Sequence, residues 1–390
     1  MRILITSCPS HGHLNPVLPL ASAARRAGHE VVVATGAEVI SEVERRGLPA
    51  LLVGPSRAEA DAAFHTGHPD LHLLSPEQRT KAAVDGLFVG AAAKRAAELV
   101  PWALTWKPDI VVHEQTELAG ALAAAHTGAR HVVHGLGPMP AHFWESMFAP
   151  GIERLCRAWQ MPELAKALRF ATYLDICPPS LQPDPEPVWQ RIQPMRPVAG
   201  QPIAGEELPA SFHALPYPQT IHLTLGTIFH ESPGVLETAI AGLRELPLNL
   251  VVTSGPTSDP ARFGPQPPHV LIEPYLPHTQ LLPHCRLVVA QGGAGIMLGT
   301  LAHGLPQLIL PQGADQFMNA EICVGTGAAL ALTPDAYSAD AVTSAAERLL
   351  AEPGFERAAG GIRAEIDATP GAADILDVLT AQEAAATPMT

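Results

Sequence analysis

Two histidines follow the first predicted strand, Arg2–Thr6, and each has the side chain of a general base. His13 stands at the end of the loop after this strand, just before a predicted helix whose first residue is Pro16. Because the positive end of a helix dipole disfavours the imidazolium, the neutral, proton-accepting form of His13 is favoured there. His11 is the competing candidate, and a histidine that only caps or packs is the alternative for each.

A carboxylate is expected beside this base. Glu114 follows the predicted strand Ile110–His113, at the same end of the sheet as the loop that carries His13. An acidic partner fixes the tautomer of a base histidine and supports the charge that the ring acquires. A glutamate that only caps the strand at the protein surface is an equal alternative.

A site for a phosphorylated sugar is indicated by the stretch from Gln291 to Asn319, QGGAGIMLGTLAHGLPQLILPQGADQFMN. Together with the apolar residues before it, this stretch is predicted as strand, Gly-rich loop, helix, strand, polar loop and helix. Small residues let the backbone approach a ligand, and a helix N-terminus after glycines favours phosphate. Asp315 and Gln316 add side chains that can hold sugar hydroxyls. Tight packing would explain one such loop, but the pair of loops is more specific.

These motifs resemble those of a known family. The Gly-rich loop followed by PQGADQ, together with SCPSHGHLNP near the N-terminus, is similar to the bacterial natural-product glycosyltransferases of the GT-B fold. That family-1 group glycosylates macrolides, enediynes and aromatic polyketides. The resemblance implies that the first loop binds a nucleotide diphosphate and that Asp315 and Gln316 bind the donor sugar. It also implies that His13 is the general base and that Glu114 is its carboxylate partner.

Further residues are expected to hold the nucleotide sugar. Thr227 follows the predicted strand Thr220–Leu225, and its hydroxyl can reach the β-phosphate. The resemblance implies that Tyr275 stacks on the nucleobase while the backbone of Leu276 reads the base edge; a buried Tyr next to a proline turn is the alternative. The residues of the diphosphate loop itself are Gln291, Gly293, Ala294 and Gly295.

Two positions of the diphosphate loop depart from the family pattern. The family has His where this chain has Gln291, and Thr or Ser where it has Ile296, and both positions normally touch the diphosphate. Gln291 keeps a neutral donor but no positive charge, and Ile296 places a methyl group where a phosphate oxygen would lie. Fewer and weaker hydrogen bonds are therefore expected at the diphosphate.

Two doubly wound domains must position these residues. The repeated strand–helix–strand pattern predicts an α/β protein of the GT-B type, with two Rossmann-like domains and a cleft between them. We predict an N-terminal acceptor-binding domain over 1–200, a Pro-rich linker over 201–218 and a C-terminal nucleotide-sugar-binding domain over 219–375. A final helix and tail, 376–390, are predicted to pack back on the N-terminal domain.

Two segments of the first domain are expected on the acceptor side. The polar segment 55–76 is predicted to be an irregular, mobile loop that carries His65, His68 and His72, with a solvated surface loop as the alternative. Large apolar residues between positions 138 and 170 can line a pocket for a flat, apolar ligand, and ordinary helix packing is the alternative. These residues are Met139, Phe143, Trp144, Met147, Phe148 and Trp159.

Composition excludes several classes of protein. The chain of 390 residues, 47% of them apolar, suffices for two cores. Its 38 acidic and 24 basic residues give a formal charge of −14, which argues against nucleic acid, although backbone N–H groups can still hold a diphosphate. Five scattered cysteines without a CxxC pair favour reduced thiols. A bilayer-spanning run and the features of a signal peptide are both missing, so a cytoplasmic protein is expected.

The predicted function is inverting transfer of a sugar from a TDP- or UDP-sugar to an apolar, polyketide-like secondary metabolite. We expect no metal and no cofactor beyond this nucleotide-sugar co-substrate, because helix dipoles and N–H groups replace a cation in GT-B enzymes. A rival hypothesis is a GT-B relative that has lost nucleotide-sugar use and binds the metabolite, or performs histidine-based cyclisation or elimination on it. The sequence leaves open the sugar, the nucleobase, the acceptor, and whether the new bond is to O, N or C. It also leaves open the oligomeric state, with a homodimer among the options.

Overall fold

In the computed structural model, the described residues are 1–182, 187–198, 203, 205–226 and 234–384. The chain divides into two compact units. The first comprises Met1–Cys177, Gln182–Arg196 and the chain from Pro370, and the second comprises Pro178–Leu181 and Pro197–Thr369. Each unit contains one parallel sheet, which confirms the prediction of two Rossmann-like domains.

The strands of the first unit form a parallel sheet of seven. They are β1 (Arg2–Thr6), β2 (Glu30–Thr35), β3 (Ala50–Leu52), β4 (Ile110–Glu114), β5 (Arg130–His134), β6 (Thr172–Asp175) and β7 (Arg191–Pro194). Their order is β3-β2-β1-β4-β5-β6-β7. The central strands are almost continuous apolar runs, as strands covered on both faces must be. Because the order reverses between β1 and β4, the segments that follow these two strands meet at a switch point.

Helices surround this sheet. They are α1 (His11–Arg26), α2 (Ile40–Arg45), α3 (Arg57–Gly67), α4 (Pro76–Ala83), α5 (Ala91–Trp106), α6 (Leu118–Thr127), α7 (Ala141–Phe143), α8 (Ala149–Ala158) and α9 (Leu164–Ala167). Two π-helical segments, Val84–Gly90 and Trp144–Phe148, join α4 to α5 and α7 to α8. Short 3-10 turns cover Leu71–Leu73 and Leu168–Phe170.

Helix α1 begins earlier than predicted. Its N-cap is Ser10, whose carbonyl accepts the N–H of Leu14 at 2.9 Å, and Pro16 lies inside the helix rather than at its first position. Pro16 has no N–H and cannot donate a hydrogen bond to the carbonyl of Gly12. Gly12 is an exposed residue of the first turn, where the missing hydrogen bond costs least. His13 is therefore a residue of the first helical turn and not of the preceding loop.

The segment 55–76 is ordered by helix caps, so the prediction of an irregular loop is wrong. Ser56 and Glu59 form a capping box at the start of α3, and Ser75 and Gln78 form another at the start of α4. In each box the serine side-chain oxygen accepts an N–H of the first turn, and the side-chain oxygen of the residue three positions later accepts the serine N–H. The sequence contained this signal.

The second unit contains a parallel sheet of six strands. They are β8 (Thr220–Thr224), β9 (Asn249–Thr253), β10 (Val270–Glu273), β11 (Cys285–Ala290), β12 (Gln307–Ile309) and β13 (Ala329–Ala331), in the order β10-β9-β8-β11-β12-β13. Its helices are α10 (Ala210–His213), α11 (Val235–Leu243), α12 (His278–Leu281), α13 (Ala294–Ala302), α14 (Gln316–Gly325), α15 (Ala339–Ala351) and α16 (Pro353–Asp367). Short 3-10 turns cover Pro179–Leu181, Pro260–Phe263 and Leu282–His284. The order reverses between β8 and β11, which makes a second switch point.

The ends of the units differ in detail from the predicted boundaries. Within the predicted linker, Leu208 and Phe212 are buried in a core cluster of the second unit together with Leu276. The last helix, α17 (Ala372–Ala384), belongs to the first unit, where it packs on α1 and where Arg130 hydrogen-bonds the carbonyl of Leu379. Throughout the described part of the chain, each helix is too short or too polar to span a bilayer.

Candidate active site

His13 and Glu114 lie side by side at the switch point of the first sheet. His13 is in the first turn of α1, directly after β1, and Glu114 is the last residue of the neighbouring strand β4. The Nδ1 atom of His13 is 3.0 Å from the Oε1 atom of Glu114. The Glu114 side chain is completely buried, whereas 21% of the His13 side chain is exposed. A substrate can therefore reach the imidazole but not the carboxylate.

Glu114 is held in its ionised form by the donors around it. Its carboxylate accepts hydrogen bonds from the N–H of Thr116 at 2.7 Å, from the Thr116 hydroxyl, and from the N–H of Cys8 at 3.3 Å. Burial acts to raise the pKa of Glu114. The charge and hydrogen bond of His13, together with hydrogen bonds from Thr116 and Cys8, outweigh burial and bring this pKa down to about 2. Glu114 is thus a carboxylate at neutral pH.

This carboxylate determines which nitrogen of His13 carries the hydrogen. An ionised carboxylate can only accept, so Nδ1 bears the N–H and Nε2 is the basic nitrogen. Glu114 also stabilises the imidazolium that forms when Nε2 takes a proton. The pair has the geometry of a general base and its orienting partner.

His11 differs from His13 in its surroundings. It is half-buried, and burial together with the nearby charges of Arg45 and Arg46 lowers its pKa. The structure thus separates the two candidate bases, because the hydrogen bond to Glu114 belongs to His13.

A second carboxylate, Glu117, lies beneath the site and was missed by the sequence reasoning. It is the N-cap of α6 and accepts the N–H groups of Ala119 and Gly120. It also accepts the hydroxyl of Thr6 and forms a buried ion pair with Arg95, at 2.9 Å. The ion pair ties α5 to the ends of the strands that carry the site. The available signal was an arginine among the alanines of α5.

Aromatic rings stand next to the base. The Phe88 ring centroid is 5.7 Å from that of His13 and 6.0 Å from that of Phe148, which stacks on Trp144 at 5.3 Å. Phe88 and Phe148 come from the two π-helical segments, a geometry often found at functional sites. Of the predicted pocket residues, Trp144, Met147 and Phe148 are buried in the core, and Met139, Phe143 and Trp159 pack partly buried against it. Phe88 was not predicted.

The Gly-rich loop of the second unit lies at the other switch point, after β11. Gly292 has a φ of 87°, and a Cβ there would lie 2.6 Å from Ile309, so both its backbone and its surroundings require glycine. Gly293 is the N-cap of α13, and Ala294 and Gly295 are the first residues of that helix. Their N–H groups belong to the helix end that favours anions.

Gln291 is close to the chain segment that follows β8. Gly226 has a φ of 71°, which favours glycine, and a Cβ there would lie 2.2 Å from the Gln291 Nε2 atom. The Gln291 side chain is buried, and its Oε1 atom has no hydrogen-bond partner among the described residues. Ile296 packs against the apolar cluster of Leu282, Val288 and Ala290. Thr227 lies outside the described residues.

The two loops at this switch point are tied together by Asn319, which the sequence reasoning did not single out. Its Nδ2 atom donates to the carbonyl of Gly292 at 3.0 Å and to Asp315 Oδ2 at 2.8 Å. The buried Gln316 side chain accepts the N–H groups of Gln312 and Gly313 through Oε1 and so shapes its own loop. Asp315 is exposed and can meet a ligand.

Tyr275 and Leu276 follow β10 at the same end of the sheet. Tyr275 is 60% exposed, and its hydroxyl is 3.4 Å from the Glu206 carboxylate. Its ring face is thus accessible to a planar ligand, and the alternative of a buried tyrosine is wrong. Leu276 has a buried side chain, which leaves only its backbone for recognition.

Known proteins are similar to this chain along nearly its whole length. The erythromycin biosynthesis protein CIII-like family matches it twice, with the N-terminal domain over 22–199 and the C-terminal domain over 223–382. An L-demethylnoviosyl transferase of Streptomyces niveus is 32% identical, and the match covers 100% of both chains. The chain belongs to this family of glycosyltransferases. The elloramycin glycosyltransferase ElmGT of Streptomyces olivaceus is also 32% identical, over 96% of each chain.

A solved structure shows the same family fold. The glycosyltransferase VinC, crystallised in complex with DTDP, superposes with a TM-score of 0.77 at 25% identity, over 97% of this chain and 98% of that one. The GT-B fold and the membership predicted from the loops are confirmed. The comparisons favour a working glycosyltransferase over the rival hypothesis of a relative that has lost nucleotide-sugar use.

Proposed function

We propose that this glycosyltransferase moves a sugar from a TDP-sugar to a hydroxyl group of an apolar, polyketide-like acceptor, with inversion at the anomeric carbon. The observation that carries the proposal is the 3.0 Å hydrogen bond between His13 and the buried Glu114 beside the Phe88 ring. The choice of TDP over UDP is supported by the DTDP complex of VinC. The aromatic rings near the base support an apolar, ring-containing acceptor.

On the acceptor side, His13 is the proposed base. Its Nε2 atom takes the proton of the acceptor hydroxyl while the hydroxyl oxygen attacks the anomeric carbon. The carbon–oxygen bond to the diphosphate breaks on the opposite face, and TDP leaves. Glu114 stabilises the imidazolium during this step, because its negative charge balances the positive charge that the ring acquires with the proton.

On the donor side, the leaving diphosphate is proposed to be stabilised by N–H groups at the start of α13, from Gly293, Ala294 and Gly295, with the Gln291 amide beside them. Thr227 is assigned to the same phosphates. In the next loop, Asp315 and Gln316 are assigned to the sugar hydroxyls. Tyr275 is assigned to the nucleobase, with the Leu276 backbone at the base edge, because its ring is exposed where β10 ends.

The test combines a base variant with a matched control. His13→Ala is expected to abolish formation of glycoside from TDP-glucose and TDP-rhamnose with a panel of aromatic aglycones, followed by mass spectrometry, while calorimetry shows unchanged TDP binding. His11→Ala, two residues away, is the control and should keep turnover. Wild-type turnover by His13→Ala would overturn the base assignment, and tighter binding of UDP than of TDP would overturn the choice of nucleotide.

A further inference from the structure

A soft-metal site lies within the proposed catalytic centre. The Sγ atom of Cys8, a ring nitrogen of His13 and a carboxylate oxygen of Glu114 all lie within 4.8 Å of one another. The Cys8 side chain is 5% exposed, and the backbone N–H of Cys8 donates to the Glu114 carboxylate at 3.3 Å. Thr116 Oγ1 is 4.0 Å from the Cys8 Sγ atom and 3.2 Å from His13 Nδ1. The sequence reasoning found no CxxC pair and did not identify this grouping.

These three side chains are a zinc-type ligand set. Thiolate, imidazole and carboxylate are the groups that bind Zn²⁺ in proteins, at bond lengths of about 2.0–2.3 Å in tetrahedral geometry. Ligand atoms around such an ion are about 3.4–3.6 Å apart, as those bond lengths require. The present separations can reach these values by shifts of roughly an ångström, with Thr116 or water in the fourth position.

We propose that Zn²⁺ binds to Cys8, His13 and Glu114 and inhibits the enzyme by occupying its base. Binding releases one proton, from the Cys8 thiol, moves the ring hydrogen of neutral His13 from Nδ1 to Nε2, and forms bonds from the ion to sulfur, nitrogen and oxygen. The inhibitory part rests on the proposed role of His13. The ion on Nδ1 replaces the hydrogen bond to Glu114, and because Nε2 then carries the ring hydrogen, it cannot accept the proton of the acceptor hydroxyl.

The charges around the cluster agree with a bound dication. Glu114 and Glu117 carry two negative charges there, against one positive charge on Arg95, whose Nη1 atom is 3.9 Å from Cys8 Sγ. A thiolate at Cys8 adds a third negative charge, and Zn²⁺ then brings the total to zero. A buried cluster without net charge is less costly than a charged one.

The binding test uses Co²⁺ as a spectroscopic probe of the full-length protein. Wild type is expected to develop a thiolate-to-Co²⁺ charge-transfer band in the near ultraviolet, which Zn²⁺ removes by competition. Cys8→Ser should lose the band and bind Zn²⁺ at least about tenfold more weakly, since loss of even an outer-shell partner costs that much. Cys177→Ser, which alters a more accessible thiol of the same unit, should keep both.

Two further measurements keep the proposal open to refutation. Zinc-edge X-ray absorption of the zinc-loaded wild type should show one sulfur neighbour at about 2.3 Å, and it needs no variant to fold. A spectrum without sulfur, or a Co²⁺ band that persists in Cys8→Ser, would overturn the site. Zinc should also suppress glycoside formation, reversibly with EDTA. If the zinc-loaded enzyme kept full turnover, zinc would bind at this site without inhibiting, and only the inhibitory part of the proposal would be overturned. If the wild type transferred no sugar at all, the spectroscopic measurements would still decide whether the metal site exists.

Discussion

Arg95 and Glu117 form an ion pair from which solvent is excluded. The two side chains are 2% and 0% exposed, and the Nη1 atom of Arg95 is 2.9 Å from the Oε1 atom of Glu117. Glu117 also caps α6 and holds Thr6 at the end of β1. The pair therefore joins α5, α6 and the end of β1, the strand that precedes the helix of His13.

We expect Arg95→Met to destabilise the protein by about 3–5 kcal/mol, because it leaves the Glu117 carboxylate buried without its counter-charge. Urea unfolding followed by circular dichroism measures the effect. The control is Arg157→Met. Arg157 and its ion-pair partner Glu153 are both exposed, so this substitution should change the free energy of unfolding by less than about 0.5 kcal/mol. Equal effects of the two substitutions would show that the buried pair does not support the fold.

Glu114→Gln is expected to lower kcat about 10²–10⁴-fold, because the amide cannot supply the negative charge that stabilises the imidazolium of His13. The KM for the TDP-sugar should stay near wild type, since Glu114 acts only through the histidine. Steady-state kinetics with Glu153→Gln, an exposed carboxylate of the same unit, provide the control. A kcat within a factor of two of wild type would contradict the role of Glu114.

Stability should fall on acidification because of buried histidines. Burial lowers the pKa of His134 from 6.5 to about 4, so the folded state binds fewer protons than the unfolded state between these values. Its contribution, on the order of 3 kcal/mol, is present above pH 6.5 and is lost as the pH falls through 4. His134→Asn should flatten the stability–pH curve in this window, and the exposed His72→Asn should not. An unchanged slope in His134→Asn would refute this origin of acid sensitivity.

The strands and the two loop sites followed from the sequence because buried parallel strands are short apolar runs that end in glycine or polar residues. The strand Arg2–Thr6 has the predicted ends, and β4 and β8 each differ from the predicted strand by one residue at the C-terminal end. The start of α1 did not follow, since Pro16 was taken as a first helical residue although an interior position was tolerated. Long-range partners were also out of reach, because only the fold brings Arg95 to Glu117 and Phe88 to His13.

Gln291 lies in the loop to which the donor diphosphate is assigned. If its amide donates to the diphosphate as proposed, a group that can carry positive charge should strengthen that hydrogen bond, since charge-assisted bonds are roughly twice as strong as neutral ones. Gln291→His is therefore expected to tighten TDP binding about tenfold in calorimetry, which corresponds to about 1.4 kcal/mol. Gln291→Met, which keeps the length but removes the donor, should weaken binding. Equal affinities of wild type and both variants would mean that position 291 does not touch the diphosphate.

Phe88 is an aromatic side chain beside the proposed base His13. Its ring lies between those of His13 and Phe148, at centroid distances of 5.7 and 6.0 Å. An aromatic acceptor whose hydroxyl reaches Nε2 of His13 can stack on this ring, and such stacking contributes about 0.5–1.5 kcal/mol beyond area burial.

Phe88→Ala should therefore raise the KM for the acceptor several-fold to about tenfold, while TDP affinity and the KM for the TDP-sugar stay unchanged. Phe88→Leu should recover part of the loss, because it restores apolar area without a ring. The control is Phe170→Ala, since that phenyl ring is 58% exposed elsewhere on the same unit. If Phe88→Ala altered donor and acceptor constants equally, the ring would be acting through the position of His13 and not through contact with the acceptor.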